Sequence, residues 1–291
     1  MGEKIIYYAM PILKLLLFVV LCIFCFLPTT IITQFSFIQQ IENPLLADLI
    51  VELGLCLAVI GALLMVFQLL KKYSLHDVFI IQDNLISGFL KGGLIGLCLL
   101  SICVAFTMLN GNVLFSAGNV SVVAFLGYLV FFILVAIFEE LLFRTFPLLV
   151  FAERYHMTIA IFLSSVLFGL AHLGNDGFTW LAMLNITLAG ILFSIFTLQK
   201  WNISWAIGIH FGWNFTQGTI FGYQVSGGKS VGILIAKPIG ETYLSGGVFG
   251  VEGSIFCTAI LLIAILFLVI KYKIEPVQEI LLQESDEETR I

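Results

Sequence analysis

The sequence predicts an all-α, polytopic membrane fold of about eight transmembrane helices, with an intramembrane polar site formed by spans four, five and seven. Three observations carry this. Of the 291 residues, 60% are hydrophobic and only 11% are charged, whereas soluble domains carry about 25% charged residues. Runs long enough for the roughly 20 apolar residues that cross a bilayer recur along the whole chain. The cationic residues fall almost entirely in alternate connections, as the positive-inside rule expects of a multi-pass protein.

The spans read 9–31, 46–70, 86–109, 121–150, 157–174, 179–199, 201–221 and 248–271. Lys4 precedes the first run, which is longer than the apolar core of a signal peptide. "LPTTIITQF" offers no small-residue cleavage site, so this run is expected to stay as a span. The fourth run exceeds what one crossing needs and is expected to tilt or protrude. The fifth is short, and "QKWN" makes a tight turn between the sixth and seventh. With the first end inside, the inner segments hold Lys4, Lys71, Lys72, Lys91, Arg144, Arg154, Lys200, Lys271, Lys273 and Arg290. The outer ones hold Lys229 and Lys237. Both termini are therefore expected in the cytoplasm.

A division follows from the runs: 1–118 as a three-span region, 119–221 as a core, 222–273 as an outer Gly- and Ser-rich loop with the last span, and 274–291 as an acidic tail. The net charge of −5 is modest, and no basic patch points to nucleic acid. The six cysteines lie in apolar runs. Cys22 and Cys25 form a CxxC inside "LCIFCF", which reads as lipid-embedded helix rather than a redox motif, and no disulfide framework is implied. No internal repeat suggests an inverted-repeat transporter.

Four polar clusters interrupt the apolar spans. "AIFEELLFRTF" carries Glu139, Glu140 and Arg144. On insertion scales a charge near the bilayer centre costs about 2.5–3.5 kcal/mol. Glu140 and Arg144 share one helix face and can offset each other. Glu139 is turned about 100° away, so that pair does not account for it. The plainer alternative is that both acids sit near the inner end and reach for water. "FGLAH" sets Phe168 and His172 one turn apart, and a lone buried histidine is as often a satisfied core residue as a functional one. "HFGWN" stacks His210 and Asn214 on one face, where they either meet a polar partner or only tie helices together. Asn185, with Gly190 nearby, reads as a helix-packing position. Glu52 and Glu252 fall near outer span ends and read as interfacial.

Do the first three clusters meet? At 1.5 Å per residue, Glu139 lies about 16 Å deep, His210 about 14 Å and His172 about 22 Å. Tilt absorbs that spread. A carboxylate, two imidazoles and an amide near mid-membrane suit hydrolysis, with one group taking a proton from water and others donating to a developing oxyanion. No serine nucleophile motif or aspartate pair is present. The same Glu139, His172 and His210 could instead hold zinc, since two His and one Glu form a catalytic zinc set. No HExxH is present to favour that reading.

"EELLFR", "FGLAH" and "HFGWN", in this order and spacing, resemble the CPBP family of intramembrane proteases, which includes the type II CAAX prenyl endopeptidases and the Abi-type proteins tied to bacteriocin processing and immunity. The resemblance covers about 119–218, making 119–221 a CPBP/Abi-like catalytic core. It implies an intramembrane endopeptidase in a bacterial plasma membrane, acting on a peptide or prenylated-protein substrate. It implies Glu139 as the catalytic glutamate with His172 activating water. His210 and Asn214 would stabilise the oxyanion, and Glu140 and Arg144 would hold the site's shape. Family members are described both as metal-dependent and as glutamate-dependent, so no cofactor is assigned and zinc stays open. Two other readings stand beside it: a non-enzymatic immunity or sensor partner of the same fold, and a proton-coupled transporter.

Overall fold

The computed structural model describes residues 2–271. The acidic tail 274–291, with Lys273 and Arg290, lies outside the described residues. The chain is a mostly helical integral membrane protein. Five helices are long and apolar enough to cross a bilayer: Ile6–Ile32, Pro44–Leu69, Leu85–Leu109, Val122–Ala152 and Trp180–Lys200. They match five of the eight predicted spans within a few residues. The other three predicted spans are shorter as helices.

The elements run α1 Gly2–Ile32, α2 Ser36–Gln39, α3 Pro44–Leu69, α4 Leu85–Leu109, β1 Val113–Ala117, α5 Val122–Phe143, α6 Phe146–Ala152, α7 Met157–Leu170, α8 Trp180–Lys200 and α9 Ser204–Phe215. A π-helical turn, Thr216–Ile220, extends α9. Then come β2 Leu234–Pro238, α10 Thr242–Ser245, two 3-10 turns at Gly247–Phe249 and Val251–Gly253, and α11 Ile255–Lys271. Asn43 caps α3 through its side chain, with Pro44 in the first turn. Ser121 caps α5 and Thr179 caps α8, each accepting from an otherwise orphan amide.

The all-α expectation needs one correction. β1 and β2 pair antiparallel, Val113 opposite Pro238 and Ala117 opposite Leu234. Each strand has five residues, too short for period-two patterning to stand out. Their pairing ties the connection after α4 to the long loop after α9.

The predicted fourth span breaks near its inner end, between Phe143 and Phe146. Pro147 has no N–H to give the Phe143 carbonyl four residues back, so the helix cannot run through. That carbonyl accepts from Ser164 Oγ on α7 at 2.8 Å instead. Arg144 ends α5, and α6 restarts with every residue buried. The break pins the inner end of α5 to α7.

The position of α9 is set by glycine. Gly88, Gly92 and Gly96 form a ridge along α4, and Gly208 and Gly212 form one on α9. A Cβ on Gly96 would collide with the Ile209 carbonyl oxygen, and one on Gly212 with the Gly93 carbonyl oxygen. Close backbone approach of this kind is how small residues drive helix association in membranes. It fixes the helix that carries His210 and Asn214.

Glu153 ties α1 to the segments after α3 and α6. Lys14 Nζ donates to it at 2.9 Å, Lys72 Nζ at 2.8 Å and Tyr73 Oη at 2.9 Å. Lys14 also donates to Tyr73 Oη. Burial pushes the Glu153 carboxyl up, but these donors outweigh it and hold it below its usual value.

Candidate active site

Two acids leave the last turns of α5 in different directions. Glu140 is fully buried. It forms an ion pair with Arg144 Nε at 3.2 Å, so the predicted face-sharing is present. Its closer partner is on another helix: His210 Nδ1 lies 2.9 Å from Glu140 Oε1. A carboxylate accepts, so His210 Nδ1 carries the hydrogen and Nε2 is directed elsewhere. Arg144 does not reach for water. It is fully buried, with its guanidinium 3.9 Å from the Phe168 ring centre and 5.3 Å from that of Phe193, a cation over aromatic faces.

His172 stands in the turn just after α7. Its Nδ1 donates to the Phe168 carbonyl at 2.8 Å, because a carbonyl can only accept. Phe168 therefore has three roles. Its ring covers Arg144, its carbonyl sets the His172 tautomer, and its edge meets both imidazoles, at 5.0 Å for His172 and 5.9 Å for His210. Phe193 on α8 stacks on His210 at 5.2 Å and 18°.

The two Nε2 atoms converge on one oxygen. Glu139 Oε2 is 3.9 Å from His172 Nε2 and 3.7 Å from His210 Nε2. Neither is a direct hydrogen bond, since both exceed the N···O range of about 2.7–3.2 Å. Polar atoms at this separation invite a bridging water. Glu139 Oε2 is buried and has no hydrogen-bond partner among the described residues. Asn214 is only 6% exposed and its side chain has no partner among the described residues.

Glu139, His172, His210 and Asn214 all line one cavity of about 560 Å³, in the size range of small-ligand sites. Glu140 and Arg144 sit behind it. The same cavity takes in residues the sequence reading placed elsewhere. Glu252 is not interfacial: it is buried and accepts from Trp213 Nε1 at 3.1 Å, Ser226 N at 2.8 Å and Ser226 Oγ at 2.9 Å. Glu52 also lines the cavity. Asn185 does pack helices, donating to the Glu252 and Ser254 carbonyls at 2.6 and 2.8 Å. It thereby holds the turn that carries Glu252.

Could zinc sit among Glu139, His172 and His210? Zinc bonds of about 2.0–2.2 Å put tetrahedral donors about 3.3–3.6 Å apart. The observed 3.7 and 3.9 Å are wider. Among the described residues no three His, Cys, Asp or Glu side chains gather as a ligand set. The side chains as arranged do not fit the ion.

Fold and site together define the class: a helical integral membrane protein with a buried carboxylate–imidazole cluster opening into a cavity. A family model described as Rce1-like, type II CAAX prenyl endopeptidase, matches residues 120–216, about a third of the chain. That segment contains all three motifs, and the match is consistent with the CPBP family they resemble. Searches among curated proteins and among solved structures returned no match.

Proposed function

We propose that the chain is an intramembrane endopeptidase that hydrolyses a peptide bond in a membrane-associated, CAAX-type substrate. One observation carries it: two imidazole Nε2 atoms face the same unpartnered carboxylate oxygen, Glu139 Oε2, at 3.7 and 3.9 Å inside a cavity. Each Nδ1 is held by an acceptor, so neutral His172 presents a lone pair to the carboxylate, while the Nε2 of His210 is left to donate when protonated. Two acceptors facing one another, His172 Nε2 and Glu139 Oε2, need a donor between them, and water is the donor that hydrolysis uses.

Each side chain then takes one role. Glu139 removes a proton from a water that His172 Nε2 orients, and the resulting hydroxide attacks the substrate carbonyl carbon. The oxyanion receives hydrogen bonds from Asn214 Nδ2–H and from His210 when its Nε2 is protonated. Glu140 and Arg144 make that possible. With Glu139 and Glu140 ionised, Arg144 and a His210 imidazolium bring the cluster to neutrality. The proton on Glu139 passes to the amide nitrogen as the C–N bond breaks, leaving a carboxylic acid and an amine.

In this reading 119–221 is the catalytic core, 1–118 a three-span region beside it, and the three short helical runs complete about eight crossings. Both termini lie in the cytoplasm. The test is cleavage of a CAAX-type peptide by the protein purified into liposomes, with metal analysis of the same sample. Chelator-resistant cleavage that falls by about 10²-fold or more in His172→Ala and His210→Ala is expected. Full activity in either variant would sink the assignment. Cleavage that tracks bound zinc would move it to the metal-dependent version. Function retained without any cleavage would favour the immunity or sensor reading.

A further inference from the structure

The charged lining of the cavity is lopsided. It holds Asp48, Glu52, Glu139, Asp176 and Glu252, and beyond the two histidines the only cation among these described lining residues is Lys229. Two of the acids are accounted for. Glu139 works on water in the reading above, and Glu252 is saturated by Trp213 and Ser226. Asp48 and Glu52 are not. They lie one turn apart on α3 and so share a face. Asp48 is exposed at the rim. Glu52 lies deeper, and its Oε2 is shut off from solvent with no hydrogen-bond partner among the described residues.

A buried carboxylate oxygen without a donor is costly. On its own, an acidic lining could be no more than a solvated edge. Asn214 supplies the independent observation. It is only 6% exposed, faces the same cavity and has no hydrogen-bond partner among the described residues, so this space is shaped for a polar ligand rather than for packing. A peptide backbone can satisfy Asn214 and offer an N–H to Glu52, but it brings no positive charge to set against two carboxylates. A side chain that brings several N–H donors and a positive charge satisfies both carboxylates.

We propose that Asp48 and Glu52 form a specificity subsite for a lysine or arginine side chain of the substrate, close to the bond that is cut. This rests on the endopeptidase reading. An acidic residue at that substrate position meets the two carboxylates of Asp48 and Glu52, a repulsive element that sharpens selection.

The test uses full-length protein in liposomes and a series of fluorescent CAAX-type peptides. Each carries a single Lys or a single Glu, moved one position at a time on either side of the cleaved bond. Cleavage efficiency and equilibrium binding are read on the same peptides. At one position Lys should exceed Glu by about tenfold in both readings. The ratio should shrink at about 0.5 M salt and in the Asp48→Asn/Glu52→Gln variant. It should invert in Asp48→Lys, an exposed position where folding is not at stake. A Lys/Glu ratio within about twofold at every position, or a preference that survives both variants, would overturn the subsite. Cleavage without charge preference defeats this proposal and leaves the endopeptidase reading standing. Lys-selective binding without cleavage does the opposite.

Discussion

Replacing Glu140 by glutamine keeps its shape and removes its charge. The residue is fully buried and touches two partners, His210 at 2.9 Å and Arg144 at 3.2 Å. Arg144 Nη1 and Nη2 have no hydrogen-bond partners among the described residues, so Glu140 is its close counter-charge. Breaking a buried pair by removing one partner costs about 3–5 kcal/mol, because a buried charge is left behind. In a chain of this size that lowers Tm by about 10 °C. Glu139→Gln is the control: its side chain is 21% exposed and accepts no hydrogen bond among the described residues, so stability should stay within about 0.5 kcal/mol. The assay is thermal unfolding in detergent, followed by a thiol-reactive dye. Cys22, Cys56, Cys103 and Cys257 are buried and free and become reactive only when the helices part. A second variant, Glu140→Gln/Arg144→Met, removes the stranded cation and should regain at least half of the loss, since apolar replacement of buried pairs is often neutral. Equal Tm for Glu139→Gln and Glu140→Gln, or no recovery in the double variant, would refute the division of labour between the two glutamates.

Gly96→Val should lower stability by about 1–3 kcal/mol through overpacking against the Ile209 carbonyl, and it should also depress activity by shifting His210, whereas Gly93→Ala should change neither by much; thermal unfolding and peptide cleavage report both. Glu153 has its carboxyl held below the usual range in the folded protein, so it contributes stability that is present above the unfolded glutamate pKa and is lost as pH falls through its folded value. The Tm difference between wild type and Glu153→Gln should therefore be widest near neutral pH and close on acidification, and a gap that widens in acid would be the wrong sign.

Apolar run length and the order of the polar motifs were readable in the chain, because both are local. Five long helices came out within a few residues for that reason, and the i, i+4 spacing of Glu140 and Arg144 was enough to anticipate their contact. What escaped was non-local. Nothing in "EELLFR" says that Glu140 meets a histidine 70 residues later, so it read as a partner for Arg144 alone. Phe168 and Phe193 look like any other apolar residues, yet they cover Arg144 and frame both imidazoles. Glu252 and Glu52 were placed at span ends by their distance along the chain. The Asn185 contacts turn the segment with Glu252 inward, and the cavity reaches up to Glu52. The glycines of α4 and α9 went unread in the sequence, because only the meeting of the two helices gives them a role.

The most direct measurement is the cleavage rate of a CAAX-type peptide by Glu139→Gln, at saturating peptide, in liposomes where its Tm matches wild type. Glutamine keeps the shape beside His172 and His210 and cannot take a proton from water. The account predicts a fall in kcat of about 10²–10⁴-fold with KM little changed. A kcat within about threefold of wild type would contradict it, since the water would then be activated by some other group.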